Sequence, residues 1–207
     1  MPVKDCQTKK LIIDTAMRVF FAEGRIYATT QEIADAAGVN RTLINYYFRS
    51  KKMLFNQVVK KAIKEFIGNT DVILSSDLPF REKTEKYIDD FIDKLMKYPY
   101  LESYLTVDII QHRLKKKDIV LSGEGQPTPL KQFLKEIQKE MEDGNIPGTK
   151  PVHFMLNMVS LLIYPHIMKP LQMKLLDLSE TEYQKILSER KQIILNILFP
   201  EKTLIHN

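Results

Sequence analysis

Apolar residues recur along most of this chain at intervals of three and four, the spacing that gathers them on one face of an α-helix. The first such stretch spans residues 8–24, and two shorter ones follow within residues 29–48. The sequence lacks runs in which Val, Ile and Thr alternate with polar residues as they do in strands. The pattern therefore predicts an all-α protein with about nine helices.

The breaks between predicted helices fall at glycine, proline and polar clusters, which interrupt helices. After the first three, the predicted helices span residues 50–68, 80–98, 100–113, 129–144, 151–167 and 180–199. Met96 and Leu130 are expected on the buried faces of their helices. The buried stripe expected for the first helix consists of Leu11, Ile12, Thr15, Ala16, Val19 and Phe20.

Residues 29–48 have the signals of two short helices joined by a tight turn. Thr29 followed by Glu32 is a capping box, in which each side chain satisfies a backbone amide at the helix start. Gly38 stands where the first helix must stop, and glycine accepts the positive φ of such a stop. Asn40 can cap the second helix through its side-chain oxygen. This is the helix-turn-helix geometry that fits a DNA major groove.

The second of these helices has an apolar and a polar face. Its inward side chains are Leu43 and Ile44, with Tyr47 or Phe48. Its outward side chains are Arg41, Thr42, Asn45 and Tyr46. Such outward groups can read base edges, whereas an ordinary surface helix carries Glu and Lys pairs. A helical hairpin without DNA-binding function has the same turn, so the turn alone leaves both interpretations open.

The positive charge of the chain is concentrated at its N-terminal end. Residues 1–52 contain nine Lys and Arg against five Asp and Glu, a net charge of +4, while the whole chain has a net charge of +5. Residues 53–207 therefore contribute the difference, +1. This asymmetry favours a phosphate-binding module in the first quarter of the chain.

Five pieces of the N-terminal sequence agree in order and spacing with a known family. They are Phe20-Phe21-Ala22-Glu23-Gly24, Ala28-Thr29-Thr30, Ile33-Ala34, Ala37-Gly38-Val39 and Tyr47-Phe48-Arg49-Ser50-Lys51. In these pieces the chain resembles the tetracycline-repressor (TetR) family of bacterial transcription regulators. The resemblance is specific over residues 1–55, and beyond them only the helical layout and the length agree.

The second helix of the pair departs from the family pattern at positions that face or flank the groove. Thr42 stands where the family often has Gly or Ala, and Leu43 stands where Ser or Thr is frequent. Asn45-Tyr46 replaces a common Tyr-His pair. The resemblance therefore implies the fold but not the operator sequence.

The resemblance implies a helix-turn-helix DNA-binding domain over residues 1–52 and a helical ligand-binding and dimerisation domain over residues 53–207. The expected DNA contacts are base-facing side chains of the second helix and phosphate-binding groups around it. They are Thr29, Thr30, Arg41, Thr42, Asn45, Tyr46, Tyr47, Lys51 and Lys52. The helix that starts after Ser50 enters the second domain, and by the resemblance its pendulum-like shift changes the spacing of the two reading heads in a dimer.

The last two predicted helices carry more apolar surface than one side of a helix can hold. Such a hairpin is a candidate for a two-fold dimer interface that forms a four-helix bundle, as the resemblance also implies. The expected interface residues are Phe154, Met158, Leu161, Leu162, Ile186, Ile193, Ile194 and Ile197. The alternative is that these residues form a core within one chain.

A ligand pocket is expected among polar or aromatic groups on otherwise apolar helices of the second domain. The candidates are Tyr104, Asp108, His112, Asn157 and Tyr164. The surrounding Met, Phe and Leu residues favour an apolar or amphipathic effector. Asp108 and His112, four residues apart, have a second interpretation as a helix-stabilising pair.

Composition narrows the remaining classes of function. The single cysteine, Cys6, excludes an internal disulfide framework and suits a reducing cytoplasm. We expect a cytoplasmic protein without a membrane span, since the longest apolar run, residues 158–168, is shorter than the ~20 residues that a span requires. The four histidines show no metal-ligand spacing, and neither a phosphate loop nor a nucleophile elbow is present. We therefore expect no catalytic residues, no metal and no cofactor.

The resulting hypothesis is a homodimeric repressor that a small molecule releases from a palindromic operator in double-stranded DNA. One alternative is a dimer of the same fold that binds DNA without a ligand. The other is a helical interaction module or an enzyme without DNA binding.

Overall fold

The computed structural model describes residues 3–111 and 128–200, and all secondary structure in these two ranges is helical. The helices are α1 (Val3–Met17), continued by a π-helical turn (Arg18–Ala22), α2 (Thr30–Ala37), α3 (Arg41–Phe48), α4 (Lys51–Leu74), α5 (Phe80–Lys97), α6 (Leu101–Ile110), α7 (Pro129–Glu142), α8 (Pro151–Ile167), α9 (Lys169–Leu175) and α10 (Glu180–Leu198). The predicted all-α class is confirmed.

The described residues divide into two compact units. The first unit contains residues 3–68 and 94–111, and the second contains residues 69–93 and 128–200. Helices α4 and α5 each contribute residues to both units. The predicted boundary at residue 52 separates a DNA-binding domain from a ligand-binding domain rather than two compact units, and it stays a prediction.

Side chains from α1 to α4 form one apolar core in the first unit. Its fully buried members include Ile12, Phe20, Ile33, Ile44 and Leu54. The ring of Phe55 lies edge-on to Phe20, with 5.0 Å between the centroids. This core holds α3 by its apolar face, so the position of the polar face is set by burial.

The π-helical turn at the end of α1 is fixed by the residue that precedes α6. The backbone amide of Tyr100 donates to the carbonyl of Phe21 over 3.1 Å. Gly24 follows with φ of 72°, and a Cβ atom built there would lie 2.9 Å from the Tyr100 ring. The backbone conformation therefore favours glycine at position 24, and a Cβ there would displace the ring of Tyr100.

Two predicted helix boundaries were wrong. Helix α1 begins at Val3 rather than at residue 8, and α4 ends at Leu74 rather than at residue 68. Gly68 lies inside α4, and the side chains of Asn69 and Thr70 beyond it hydrogen-bond to Asp90 of α5. These tertiary contacts outweigh the low helix propensity of glycine.

Three residues predicted to be buried are exposed: Leu11, Met96 and Leu130. Leu11 precedes the fully buried Ile12, and Met96 follows the buried Leu95. Successive helix residues point about 100° apart, and in these two pairs Ile12 and Leu95 face the core while Leu11 and Met96 point away from it. Leu130 lies in the first turn of α7, before the buried Phe133.

The short helix α9 was not predicted. Its second residue is Pro170, which the sequence pattern marks as a break. Proline is tolerated in a first helical turn, because the amide that it lacks would have no helical partner there. The predicted end of α6 at residue 113 lies outside the described residues.

The second unit is organised around aromatic side chains from four of its elements. The ring of Phe80 lies within 5.5–5.9 Å, centroid to centroid, of Phe133, Phe154 and Phe199. Beside this cluster the buried ammonium of Lys83 donates to both carboxylate oxygens of Glu136, at 2.9 and 2.7 Å. A charge buried to this extent persists only when it is paired.

Helix α8 contains an internal proline whose cost is offset by α10. Pro165 has no amide proton, so the carbonyl of Leu161 loses its helical partner. The guanidinium of Arg190 donates to that carbonyl over 3.2 Å. The hydroxyl of Tyr183 donates to the carbonyl of Pro165 over 2.6 Å. Two side chains of α10 thus supply hydrogen bonds around the interruption.

Candidate nucleic-acid interface

The capping box that starts α2 is confirmed. Thr29 Oγ1 accepts from the Glu32 amide over 3.2 Å, and the Glu32 carboxylate accepts from the Thr29 amide over 2.7 Å. The carboxylate accepts hydrogen bonds from the Thr29 amide and, over 2.8 Å, from the Thr29 hydroxyl, and these bonds together with Arg25 lower the pKa of Glu32 from 4.5 to about 2. The start of α2 is therefore fixed by residues no more than seven positions apart.

The turn between α2 and α3 also has the predicted geometry. Gly38 adopts the left-handed conformation, with φ of 64° and ψ of 33°. The Asn40 side-chain oxygen accepts from the amide of Thr42 over 2.8 Å, which caps α3. No side-chain atom within 4 Å would meet a Cβ at Gly38, so the backbone conformation alone requires glycine there.

Helix α3 presents a polar face to solvent. Ile44 and Phe48 are buried, and Leu43 and Tyr47 are partly buried. The four residues predicted to face the groove are all exposed: Arg41, Thr42, Asn45 and Tyr46. The structure brings these side chains together on one short, capped helix, which is the arrangement that base readout requires.

Two residues predicted to bind phosphates have partners within the chain. The hydroxyl of Tyr47 donates to the carboxylate of Asp5, and this hydrogen bond is the main cause of the raised pKa of Tyr47. The ammonium of Lys51 donates to the carbonyl of Tyr27 over 2.9 Å. Lys52 and Thr29 are exposed, and Thr30 is partly buried. Tyr47 and Lys51 thus help to fix α1, α3 and α4 as the structure stands.

Arg49 has a conformation that the sequence pattern did not indicate. It ends α3 with φ of 60° and ψ of −32°, and the amide of Ser50 donates to the carbonyl of Phe48 across it over 2.7 Å. This tight turn is strained for any residue with a Cβ. The turn leaves an exposed guanidinium immediately after α3. The sequence signal for this positive φ was an arginine immediately after α3, at a position whose conformation suits glycine.

The predicted ligand residues fall in both units. In the first unit the Tyr104 hydroxyl donates to the Asp108 carboxylate over 2.5 Å, and Asp108 is buried. Both residues line a cavity of about 690 Å³ that Phe55 and Val107 also line. Asn157 and Tyr164 are exposed residues of α8 in the second unit. His112 lies outside the described residues.

Some residues predicted to form the dimer interface are buried within the protomer, and others are exposed. Phe154, Met158, Leu162 and Ile194 are buried inside the second unit. Leu161 is partly buried. Ile186, Ile193 and Ile197 of α10 are 39%, 42% and 50% exposed. Ile193 and Ile197 follow Ile186 by seven and eleven residues, a spacing that places all three along one stripe of the helix. Val152 and Leu156 are exposed on α8.

Two other kinds of site were sought in the described part of the chain. No group of three or more His, Cys, Asp or Glu residues there is placed to hold a metal ion. No single helix in residues 3–111 or 128–200 is long and apolar enough to cross a membrane. Helices α8 and α9 together meet the length and composition criteria, but they are bent by 69° at the break between them.

Comparison with known proteins agrees with this geometry. Residues 12–58, which include α2 and α3, match the sequence model of the family described as bacterial regulatory proteins, tetR family. Over these residues the chain is similar to the TetR family. The proteins of that family are transcriptional regulators rather than enzymes.

The relatives of this chain are distant in sequence. A probable acrEF/envCD operon repressor of Escherichia coli is 28% identical over 144 residues, which cover 65% of this chain and 64% of that protein. An uncharacterised HTH-type transcriptional regulator of Bacillus subtilis, YhgD, is 24% identical over 66% of this chain and 68% of its own length. The chain thus aligns with slightly less than two thirds of the Escherichia coli protein.

Similarity to solved structures extends along nearly the whole chain. A linker-substituted mutant of HlyIIR superposes with a TM-score of 0.62 at 20% identity, covering 94% of this chain and 98% of that one. At such low identity the likeness establishes the fold alone, and it agrees with the all-helical arrangement described above.

Proposed function

We propose that this chain is a DNA-binding transcriptional regulator that uses α3 to read the major groove. The observation that carries the proposal is the exposed polar face of α3, made of Arg41, Thr42, Asn45 and Tyr46, on a helix whose opposite face is buried. Arg and Asn side chains form bidentate hydrogen bonds with guanine and adenine, respectively. Operator choice then depends on these four residues.

Phosphate contacts would supply the part of the affinity that does not depend on sequence. Lys52 and Arg49 are exposed beside α3, and Thr29 is exposed at the start of α2. Neutralising phosphates releases counterions, so this part of the affinity falls as salt rises. Tyr47 and Lys51 join these contacts only if the DNA replaces Asp5 and the Tyr27 carbonyl as their partners.

A homodimer would place two α3 helices on one operator. Ile186, Ile193 and Ile197, together with Val152 and Leu156, offer exposed apolar surface on α8 and α10, although Phe154, Met158, Leu162 and Ile194 belong to the core of the protomer. A two-fold pairing of these helices makes a four-helix bundle. Two identical reading heads about one helical turn apart would require a palindromic operator. The dimer would act in the cytoplasm, where the operator DNA lies, and would repress transcription from it.

Release by a small molecule is the regulatory part of the proposal. The cavity lined by Tyr104 and Asp108 is also lined by Lys51 and Lys52 from the first turn of α4, directly after the α3–α4 turn. An apolar or amphipathic effector that binds one arrangement of α4 better than another shifts the population of DNA-binding dimers. The effector then weakens DNA binding without touching α3.

The first test is fluorescence anisotropy with labelled DNA from upstream of the gene, across a salt series. We expect binding that weakens steeply with salt, and we expect Asn45→Ala to weaken specific binding by about 10- to 100-fold. Gln132→Ala removes an exposed amide from α7 and is the control, which should bind as the wild type does. Equal, weak binding to every DNA, unchanged by Asn45→Ala, would refute base readout by α3.

The dimer has a test of its own. Ile193→Lys should shift the protein toward monomer in sedimentation or light scattering, because a charge in the centre of an apolar interface is left without a partner. Val72→Lys, at an exposed apolar residue of α4, is the matched control. A dimer that survives Ile193→Lys unchanged would exclude this face as the interface.

A further inference from the structure

Tyr27 lies in the short connection that leads into α2, two residues before the N-cap Thr29. Its side chain is 92% exposed, and no other large hydrophobic side chain in residues 3–111 and 128–200 is as exposed. The next residue, Ala28, is buried. The connection therefore buries its alanine and holds an aromatic ring out in solvent.

The backbone around Tyr27 is held by three hydrogen bonds. The amide of Ala28 donates to the carbonyl of Arg25 over 2.9 Å, which closes a turn that includes Tyr27. The amide of Arg25 donates to the carbonyl of Val19 over 3.0 Å. The ammonium of Lys51 donates to the Tyr27 carbonyl itself over 2.9 Å. An aromatic ring carried on such a backbone loses little conformational entropy when it binds a partner.

The fold makes little use of the Tyr27 side chain. Hydrophobic groups stabilise a fold in proportion to the surface that they bury, and this ring buries hardly any. Its hydroxyl has no hydrogen-bond partner within the part of the chain that the structure describes. Exposed tyrosines with a ring and a free hydroxyl are typical contributors to binding surfaces.

The surroundings of Tyr27 suit a polyanion. Its carbonyl contacts Lys51 in the first turn of α4, and Lys52 and Arg49 beside that turn are exposed. Residues 1–52 as a whole have a net charge of +4. When the second helix of a helix-turn-helix lies in the major groove, the first helix crosses the DNA backbone. The segment that leads into α2 is then close to a phosphate strand.

We propose that Tyr27 contacts the DNA backbone, with its hydroxyl donating to a phosphate oxygen and its ring against the adjoining sugar. Tyrosine is one of the side chains that bind phosphates in protein–DNA complexes, and such contacts set the orientation of the protein on the duplex. This contact carries no charge and reads no base. It rests on the proposed function, because it needs α3 in the major groove.

The test is fluorescence anisotropy of the full chain with two labelled duplexes of equal length, the DNA from upstream of the gene and a random sequence, across a salt series. Tyr27→Ala should weaken binding to both duplexes by about tenfold, equivalent to ~1.4 kcal/mol. The neutral side chain releases no counterion, so the slope of log affinity against log salt should keep its wild-type value. Lys52→Met should reduce the magnitude of that slope by about 0.9.

Two further variants make the result specific. Tyr27→Phe keeps the ring and removes the hydroxyl, and it should weaken both duplexes by about fivefold, as expected for one hydrogen bond. Val72→Ala shortens another exposed hydrophobic side chain, on α4 in the second unit, and it should bind as the wild type does. Urea unfolding of Tyr27→Ala should match that of the wild type, because the ring buries so little surface.

The outcomes separate this proposal from the proposed function. Wild-type affinity of Tyr27→Ala for both duplexes would overturn the contact, and a loss confined to the upstream duplex would overturn its assignment to the backbone. A lowered urea midpoint in Tyr27→Ala would show that the residue acts through the fold. If Asn45→Ala leaves the preference for the upstream duplex unchanged, base readout by α3 fails, and the random duplex still decides the role of Tyr27.

Discussion

The caps of the helix-turn-helix segment and two polar contacts of the second unit differ widely in sequence range. In residues 29–42 the caps join Thr29 to Glu32 and Asn40 to Thr42, two or three positions apart. In the second unit Lys83 reaches Glu136, 53 positions away, and Arg190 reaches Leu161, 29 positions away. The caps of the first segment therefore form among near neighbours in sequence, while these two contacts of the second unit require the assembled bundle.

The difference also decides where polar groups point. Local caps leave the side chains of Arg41 and Asn45 in solvent, available to a partner. In the long-range pair the charges of Lys83 and Glu136 neutralise each other, so they are not available to bind a partner. A reading head requires the first arrangement, and a rigid bundle requires the second. Breaking contacts of the two kinds should therefore have unequal consequences.

Glu136→Ala should cause the largest loss of stability. It leaves the buried ammonium of Lys83 without its partner, which costs about 3–5 kcal/mol. The measurement is urea unfolding monitored by circular dichroism. Glu140→Ala, on the same helix as Glu136, removes an exposed contact with Asn145; it is the control and should cost less than 1 kcal/mol. The pair of changes Lys83→Met and Glu136→Leu should recover most of the loss, and failure to recover would argue against an isolated buried pair.

Arg190→Ala should have the next largest effect. It leaves the Leu161 carbonyl unsatisfied, because Pro165 provides no amide for it, and an unsatisfied buried group costs about 1–3 kcal/mol. The double-mutant cycle with Pro165→Ala is decisive. Alanine at 165 supplies the helical donor, so Arg190→Ala should cost less in that background. Equal costs in both backgrounds would show that Arg190 acts through packing.

The separation in sequence between contacting residues explains which features the sequence could predict. The box at Thr29, the stop at Gly38 and the cap at Asn40 each follow from residues close together, and all three are confirmed. Helix boundaries that depend on distant partners were missed. The extension of α4 past Gly68 rests on Asp90, twenty positions beyond Thr70.

The candidate site divides in the same way. The outward face of α3 was predicted from helical periodicity, because Ile44 and Phe48 fix which face is buried. The partners of Tyr47 and Lys51, which are Asp5 and the Tyr27 carbonyl, required the fold. A small cavity lined by Ile63 and Glu102 joins residues about 40 positions apart on α4 and α6, and no local pattern indicates it.

Thr29→Ala tests the local side of the comparison. Loss of the N-cap should lower the free energy of unfolding by about 1 kcal/mol. Thr30→Ala, at the first position of α2, is the control and should be nearly neutral. Urea unfolding measures both. An effect of Thr29→Ala as large as that of Glu136→Ala would contradict the view that local contacts are individually modest.

Arg49→Gly should stabilise the protein while weakening DNA binding. Glycine relieves the strain at φ of 60° but loses more chain entropy on folding, so the net gain should be about 0.5 kcal/mol. Arg49→Ala removes the same charge and keeps the strain. If the guanidinium binds phosphate, both variants should reduce the salt dependence of DNA binding by the same amount, and only the glycine variant should unfold at higher urea concentration.

The smallest expected effect concerns the acid range. The hydrogen bonds from Thr29 and the contact with Arg25 lower the pKa of Glu32 to about 2, so the unfolded chain binds this proton more readily than the folded chain does. The stabilisation from the Glu32 carboxylate is therefore complete above its unfolded value of 4.5 and is lost as the pH falls through about 2. Glu32→Gln should remove that part of the slope of stability against pH. Glu65→Gln, which removes the ion pair of Glu65 with Lys61 over 3.4 Å, should change the slope less. If both variants keep the wild-type slope, the box at Thr29 holds α2 through the threonine hydroxyl alone, and the helix-turn-helix is insensitive to acid at this point.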